Sequence, residues 1–190
     1  MKLEPSDEAA TAVATASAAP MNALAVAAQQ GGVARIEALL QAGADVDSTT
    51  STGLTALHLA VHAGACRLDA VDALLQAGAT QLRDISGQTP LHRASHFGDL
   101  DVVLHLLDGG AQEDAPDING HTPLHVAAHC GHVDVARELV RRGANVRGRD
   151  VAGQTPIRLA ELAGHTAAVR SLCEYLGDGN LSFNAVLQSL

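Results

Sequence analysis

The thirteen residues from Gly120 to His132, GHTPLHVAAHCGH, recur along the chain in altered form. GLTALHLAVHAGA begins at Gly53, GQTPLHRASHFGD at Gly87 and GQTPIRLAELAGH at Gly153. A worn copy, MNALAVAAQQGG, begins at Met21. Aligned at Asn22, Thr55, Thr89, Thr122 and Thr155, the copies are spaced by 33, 34, 33 and 33 residues. A fixed period of this length constrains the fold more than any single motif. Each copy is one supersecondary unit, and it buries its apolar face only by stacking on its neighbours.

Each unit has a local grammar. Thr followed by Pro starts a helix, because Thr caps free backbone N–H groups and Pro at the first helical position sacrifices no hydrogen bond. A short Ala- and Leu-rich helix then stops at Gly31, Gly64, Gly98, Gly131 or Gly164, since glycine accepts the left-handed conformation that ends a helix. A second helix carries the apolar pairs Leu39-Leu40, Leu74-Leu75, Leu106-Leu107 and Leu139-Val140, and stops at Gly43, Gly78, Gly110 or Gly143. An extended polar stretch, such as ANVRGRDVAG, leads to the next Gly-x-Thr. Helices this short are not stable alone.

These residues identify the pattern. TPLH at Thr89 and Thr122, TALH at Thr55, TPIR at Thr155, GADV at Gly43 and GANV at Gly143 make the chain resemble an ankyrin-repeat protein. The resemblance covers residues 21–177. It implies a mainly α fold, an ankyrin-repeat solenoid of stacked helix–turn–helix pairs with β-hairpin-like loops and a concave face. The departures fall at the ends. The first unit lacks Thr-Pro, and the last has Arg158 for the motif His and Leu176 where the others have Gly, as expected of capping units whose outer faces meet water. The second unit is two residues longer between its Thr and final Gly than the third, with the extra pair near Ala65-Cys66. Residues 1–20 are expected to form a flexible tail. In residues 178–190, Phe183, Val186, Leu187 and Leu190 share one helical face, which predicts a capping helix over the last repeat; a peptide docking motif is the alternative.

Composition narrows the function classes. Apolar residues make up 47% of the chain but aromatics only 2%, so the core must be built of Ala, Leu and Val. The net charge is −9, with 16 acidic against 5 basic side chains in residues 1–134 and 5 against 7 in residues 135–190. Nucleic-acid binding needs Lys and Arg clustered over a contact face. The one basic cluster, Arg137, Arg141, Arg142, Arg147 and Arg149, reads as a solvated helix end, so no nucleic-acid partner is expected. No apolar run is long enough to span a membrane. Glu4, Asp7 and Glu8 stand where a secretory leader would carry positive charge. The three cysteines (Cys66, Cys130 and Cys173) are odd in number and widely spaced, so no disulfide framework is implied. A reducing compartment follows, the cytoplasm first, with the nucleus open.

The ten histidines raise the question of metal. His58, His92 and His125 hold the fourth position of the TPLH motif, where the resemblance implies a structural role, hydrogen-bonding within and between loops. His62, His96 and His129 each follow four residues later, and an i, i+4 pair can chelate zinc. The first member of each pair is already committed to architecture, however. Neighbouring repeats are also about 10 Å apart, too far for one ion to join the second set. No metal site and no cofactor are therefore expected, and Cys130 is placed on the next helical face.

What the resemblance implies for partners is a surface beside each Gly-x-Thr and at the end of each first helix. It comprises Ser51, Thr52, Leu54, His62 and Ala63, then Ile85, Ser86, Gln88, His96 and Phe97. It continues with Ile118, Asn119, His121, His129 and Cys130, and ends with Val151, Ala152, Gln154, Leu162 and Ala163. None of these is an acid or a base other than histidine. Asp84, Asp117 and Asp150 are expected to hold the loops through backbone hydrogen bonds. Phe97 is a candidate anchor, because hot spots favour large rigid side chains, with packing against the adjacent loop as the alternative. No nucleophile–base pair, carboxylate pair or phosphate-cradling loop stands out. The expected function is a monomeric, non-catalytic protein-interaction module, whether adaptor, inhibitor or effector. The alternative is a histidine-dependent metal- or pH-responsive binding protein.

Overall fold

The structure, a computed structural model, describes residues 23–61 and 68–176. The expected tail at 1–20, the insertion at Ala65-Cys66, His62 and Ala63, and the expected C-terminal helix at 178–190 lie outside the described residues. Ten helices appear among the described residues, in five pairs: α1 (Ala23–Gln30) with α2 (Val33–Gln41), α3 (Ala56–Ala60) with α4 (Leu68–Gln76), α5 (Pro90–Phe97) with α6 (Leu100–Asp108), α7 (Pro123–Cys130) with α8 (Val133–Arg141), and α9 (Pro156–Leu162) with α10 (Thr166–Tyr175). The chain divides into two compact units, one reaching to Ile85 and the other starting at Ser86.

The helices begin where the Thr-Pro grammar places them. Thr55, Thr89, Thr122 and Thr155 are extended N-caps, and Pro90, Pro123 and Pro156 open their helices. At Thr55, Thr89 and Thr122 the His three residues on closes a reciprocal capping box, satisfying N–H groups that a helix start leaves unpaired. Gly98 ends α5 in the left-handed region, at φ 74°, and its N–H donates to the Ala94 carbonyl at 3.0 Å.

In the first unit, α1 packs on α2 and α3, α2 on α4, and α3 on α4. Its core is Leu24, Ala27, Ala28, Ile36, Leu39, Leu57, Val71 and Leu74. In the second unit, α5, α7 and α9 form one row, α6, α8 and α10 form another, and each first helix packs on its own partner. Alanines fill the contact between first helices: Ala94, Ala127, Ala128 and Ala160 are fully buried. Small side chains there let the helices approach closely, so a core poor in aromatics still reaches close packing. The second helices contribute Val103, Leu106, Val135, Leu139 and Leu172.

The loops depart from a strand ladder. No strand occurs among the described residues. Three loops close as tight turns with a main-chain bond across the base: Thr50 N to Leu54 O at 2.9 Å, Asp117 N to His121 O at 2.8 Å, Asp150 N to Gln154 O at 2.9 Å. One further bond joins each loop to the preceding one: Ile85 N to Thr52 O, Ile118 N to Ser86 O, and Val151 N to Asn119 O. Close approach explains the glycine of Gly-x-Thr. A Cβ on Gly120 would meet Val151 N at 2.9 Å, well inside van der Waals contact.

Several charged side chains bond within and between repeats. Asp99 caps α6 by accepting from Val102 N at 3.2 Å, and Asp114 accepts from Asn145 N of the next loop at 2.9 Å. Arg142 reaches Asp108 at 2.8 Å and Glu138 at 3.0 Å, and those two carboxylates strengthen its hold on its proton. Arg141 pairs with Glu138, and Arg158, in the motif-His position of the last unit, pairs with Glu161.

Candidate functional site

The motif histidines tie neighbouring loops together. His92 takes the Thr89 N–H on Nδ1 at 3.1 Å, and its Nε2 lies 3.0 Å from the His121 carbonyl in the next repeat. His125 does the same with Thr122 N at 3.2 Å and the Gln154 carbonyl at 3.3 Å. His58 receives Thr55 N at 3.2 Å. With Nδ1 accepting, Nε2–H must donate, so the ring in each linked pair is the neutral Nε2–H tautomer. All three rings are buried. Burial also pushes the His125 pKa below the ordinary histidine value, since its cost falls on the charged form. These side chains are architecture.

The second set behaves differently. His96 and His129 are exposed. Together with Gln88, His121, His125, Val126, Cys130 and Leu159 they line a cavity of about 370 Å³ in the second unit. Three further geometries here were not legible as spacing. Cys130 Sγ lies 3.4 Å from Nδ1 of His96, one repeat back, although its helical position separates it from His129. Burial pushes the Cys130 thiol up, so in isolation it is a poor nucleophile. His132 Nε2 donates to the His96 carbonyl at 2.9 Å, and its ring occupies the space a Cβ on Gly98 would need. His121 stands between two almost buried carboxylates, Nδ1 3.5 Å from Asp117 Oδ2 and Nε2 3.4 Å from Asp150 Oδ2.

The remaining expected partner residues divide by exposure. Ile85, Ile118 and Val151, at equivalent loop tips, are 70%, 68% and 80% exposed, and Leu162 is 63% exposed. Asn119 is exposed; Leu54, Ser86, Gln88 and Gln154 are half-buried. Leu54 and Ile85 belong to the first unit and the others to the second. Phe97 is half-buried and meets the His96 ring edge-on, with centroids 5.3 Å apart. It does not line the cavity. Asp117 holds its turn by accepting from Asn119 N at 2.8 Å and His121 N at 2.9 Å, and Asp150 accepts from Gln154 N at 2.7 Å. Among the described residues, no three His, Cys, Asp or Glu side chains are arranged to hold a metal ion. No helix among them is long and apolar enough to cross a membrane.

Repeated helix pairs, loop-to-loop histidines and loop tips carrying exposed aliphatics define a helical repeat protein. The family model for ankyrin repeats, in three copies, matches residues 24–117 and 109–183. The chain belongs to the ankyrin-repeat family. It is also similar to the inactive serine/threonine-protein kinase TEX14 of Bos taurus, 36% identical over 83 residues, which is 43% of this chain. The match spans 5% of the length of that relative.

Proposed function

We propose that the chain is a non-catalytic protein-binding module whose partner lies on the second unit, over the cavity and the loop tips beside it. One observation carries this reading. The backbones of Ile118 and Val151 are committed to the loop-to-loop hydrogen bonds, while their side chains are 68% and 80% exposed. A rigid backbone presenting an aliphatic side chain to water gains nothing for the fold. It does offer a partner apolar area at low entropic cost. Ile118, Leu162 and the imidazoles of His96 and His129 form the contact, with Asn119, Gln88 and Gln154 supplying hydrogen bonds. Membership of a family that generally mediates protein–protein interaction supports the same reading, and the acidic charge of the chain weighs against a nucleic-acid partner.

The experiment is site-specific photocrosslinking in cells, with a photoreactive residue at position 118 or 129 and a control at the exposed Arg137 of α8. Positions 118 and 129 are expected to trap the same discrete protein, and position 137 is not. Ile118→Ala with Leu162→Ala should weaken binding of that protein at least about tenfold, the scale of two truncated contacts near 1 kcal/mol each. Crosslinks confined to position 137, or unchanged affinity in the folded double variant, would move the binding surface to another face.

A further inference from the structure

The cavity holds one arrangement beyond the contacts proposed above, and it draws on the same His96 and His129. Cys130 Sγ and His96 Nδ1, from neighbouring repeats, are 3.4 Å apart. In a tetrahedral zinc site, a sulfur about 2.3 Å and a nitrogen about 2.0 Å from the ion lie roughly 3.5 Å from each other. The pair already stands at the bite distance of such an ion. Its placement is set by the frame: α5 packs on α7, His132 Nε2 is bonded to the His96 carbonyl at 2.9 Å, and the His96 ring rests edge-on against Phe97. We propose that Cys130 and His96 are the preformed half of a binding site for a thiophilic divalent cation such as zinc, completed by His129.

His129 precedes Cys130 on α7, is exposed, and lines the same cavity. In the proposed site this surface side chain turns to bring a second imidazole to the ion. His121 also lines the cavity but faces the carboxylates of Asp117 and Asp150 with both ring nitrogens, so it stays where it is. Water takes the fourth position. Binding requires the thiolate, and the Cys130 proton passes to solvent as the metal–sulfur bond forms. Among the described residues no three such side chains already stand together, so the proposed site is complete only once His129 turns.

The test uses the full chain carrying Cys66→Ser, which leaves Cys130 and the buried Cys173 as thiols. Titration with cobalt(II) should produce a near-ultraviolet thiolate-to-metal charge-transfer band that zinc bleaches. Adding Cys130→Ser should abolish the band. His96→Ala and His129→Ala should each weaken cobalt binding at least about tenfold, with the fold verified by circular dichroism. In the unsubstituted chain, zinc should shift the ring resonances of His96 and His129 and leave those of His92 in place, a readout that needs no variant to fold. Absence of the band, its survival in the Cys130→Ser variant, or unchanged affinity in either histidine variant would overturn the proposal.

Discussion

His125 uses its two ring nitrogens for two different repeats, taking an N–H from its own Thr122 and facing the Gln154 carbonyl of the next. Only a neutral ring can do both, and burial lowers its pKa in the folded chain. The linkage has a definite sign. Above the unfolded value of about 6.5 the ring is neutral in both states and its contribution is complete. As pH falls through 6.5 towards the folded value, the unfolded chain takes up the proton first and stability is lost. Urea unfolding is therefore expected to show lower stability at pH 5.5 than at pH 7.5. His125→Gln should cost about 1–3 kcal/mol at pH 7.5, the cost of leaving buried partners unpaired, and should reduce the difference between the two pH values. A pH dependence unchanged by that substitution would place its origin in other histidines.

At the scale of the helix pair, the glycine between first and second helix has two duties that can be separated. Gly98 and Gly164 share the left-handed conformation, at φ 74° and 79°, so an alanine at either costs about 1–2 kcal/mol in backbone strain. Of these two, Gly98 is the one the next repeat crowds, as it also crowds Gly131 through His165. At Gly98 the His132 ring fills the space of the new Cβ, and moving it breaks its bond to the His96 carbonyl; at Gly164 no atom of the described residues lies within 4 Å. Gly98→Ala should therefore destabilise by about 1 kcal/mol more than Gly164→Ala, and His132→Ala should remove the excess. Equal losses in denaturant melts would show that the ring yields freely.

The whole chain contains two compact units, with two helix pairs described before Ile85 and three after Ser86. A repeat array becomes stable when enough interfaces between units offset the intrinsic instability of each unit, and about three repeats are needed. The second unit meets that condition with a middle pair, α7 and α8, packed on both sides. A fragment of residues 86–190 is accordingly expected to unfold cooperatively in urea by far-ultraviolet circular dichroism. A fragment of residues 1–85 should show little helix and no cooperative transition. A stable first fragment would mean that α1 and α2, despite the worn motif, make a stronger interface than their sequence predicts.

Much of this was legible from residues a few positions apart. Thr89 and Pro90 mark a helix start, Gly98 marks its end, and Leu106 marks an apolar face, because capping, backbone strain and amphipathicity act over three to five residues. The loop-binding roles of His92, Asp117 and Asp150 came with the family pattern. The periodicity also singled out His96 and His129 as a second set, and the family resemblance placed Ile118 on the partner surface. Three features were not legible: that Cys130 meets His96 rather than His129, that His121 lies between Asp117 and Asp150, and that His132 closes over Gly98. Each depends on how far one helix pair is displaced along the next, and a shift of a few ångströms would exchange every partner. Local chemistry encoded in the sequence determined the repeat, its boundaries and its core. The offset between neighbouring repeats, set by alanine packing and loop-to-loop hydrogen bonds acting together, decided which side chains share the cavity.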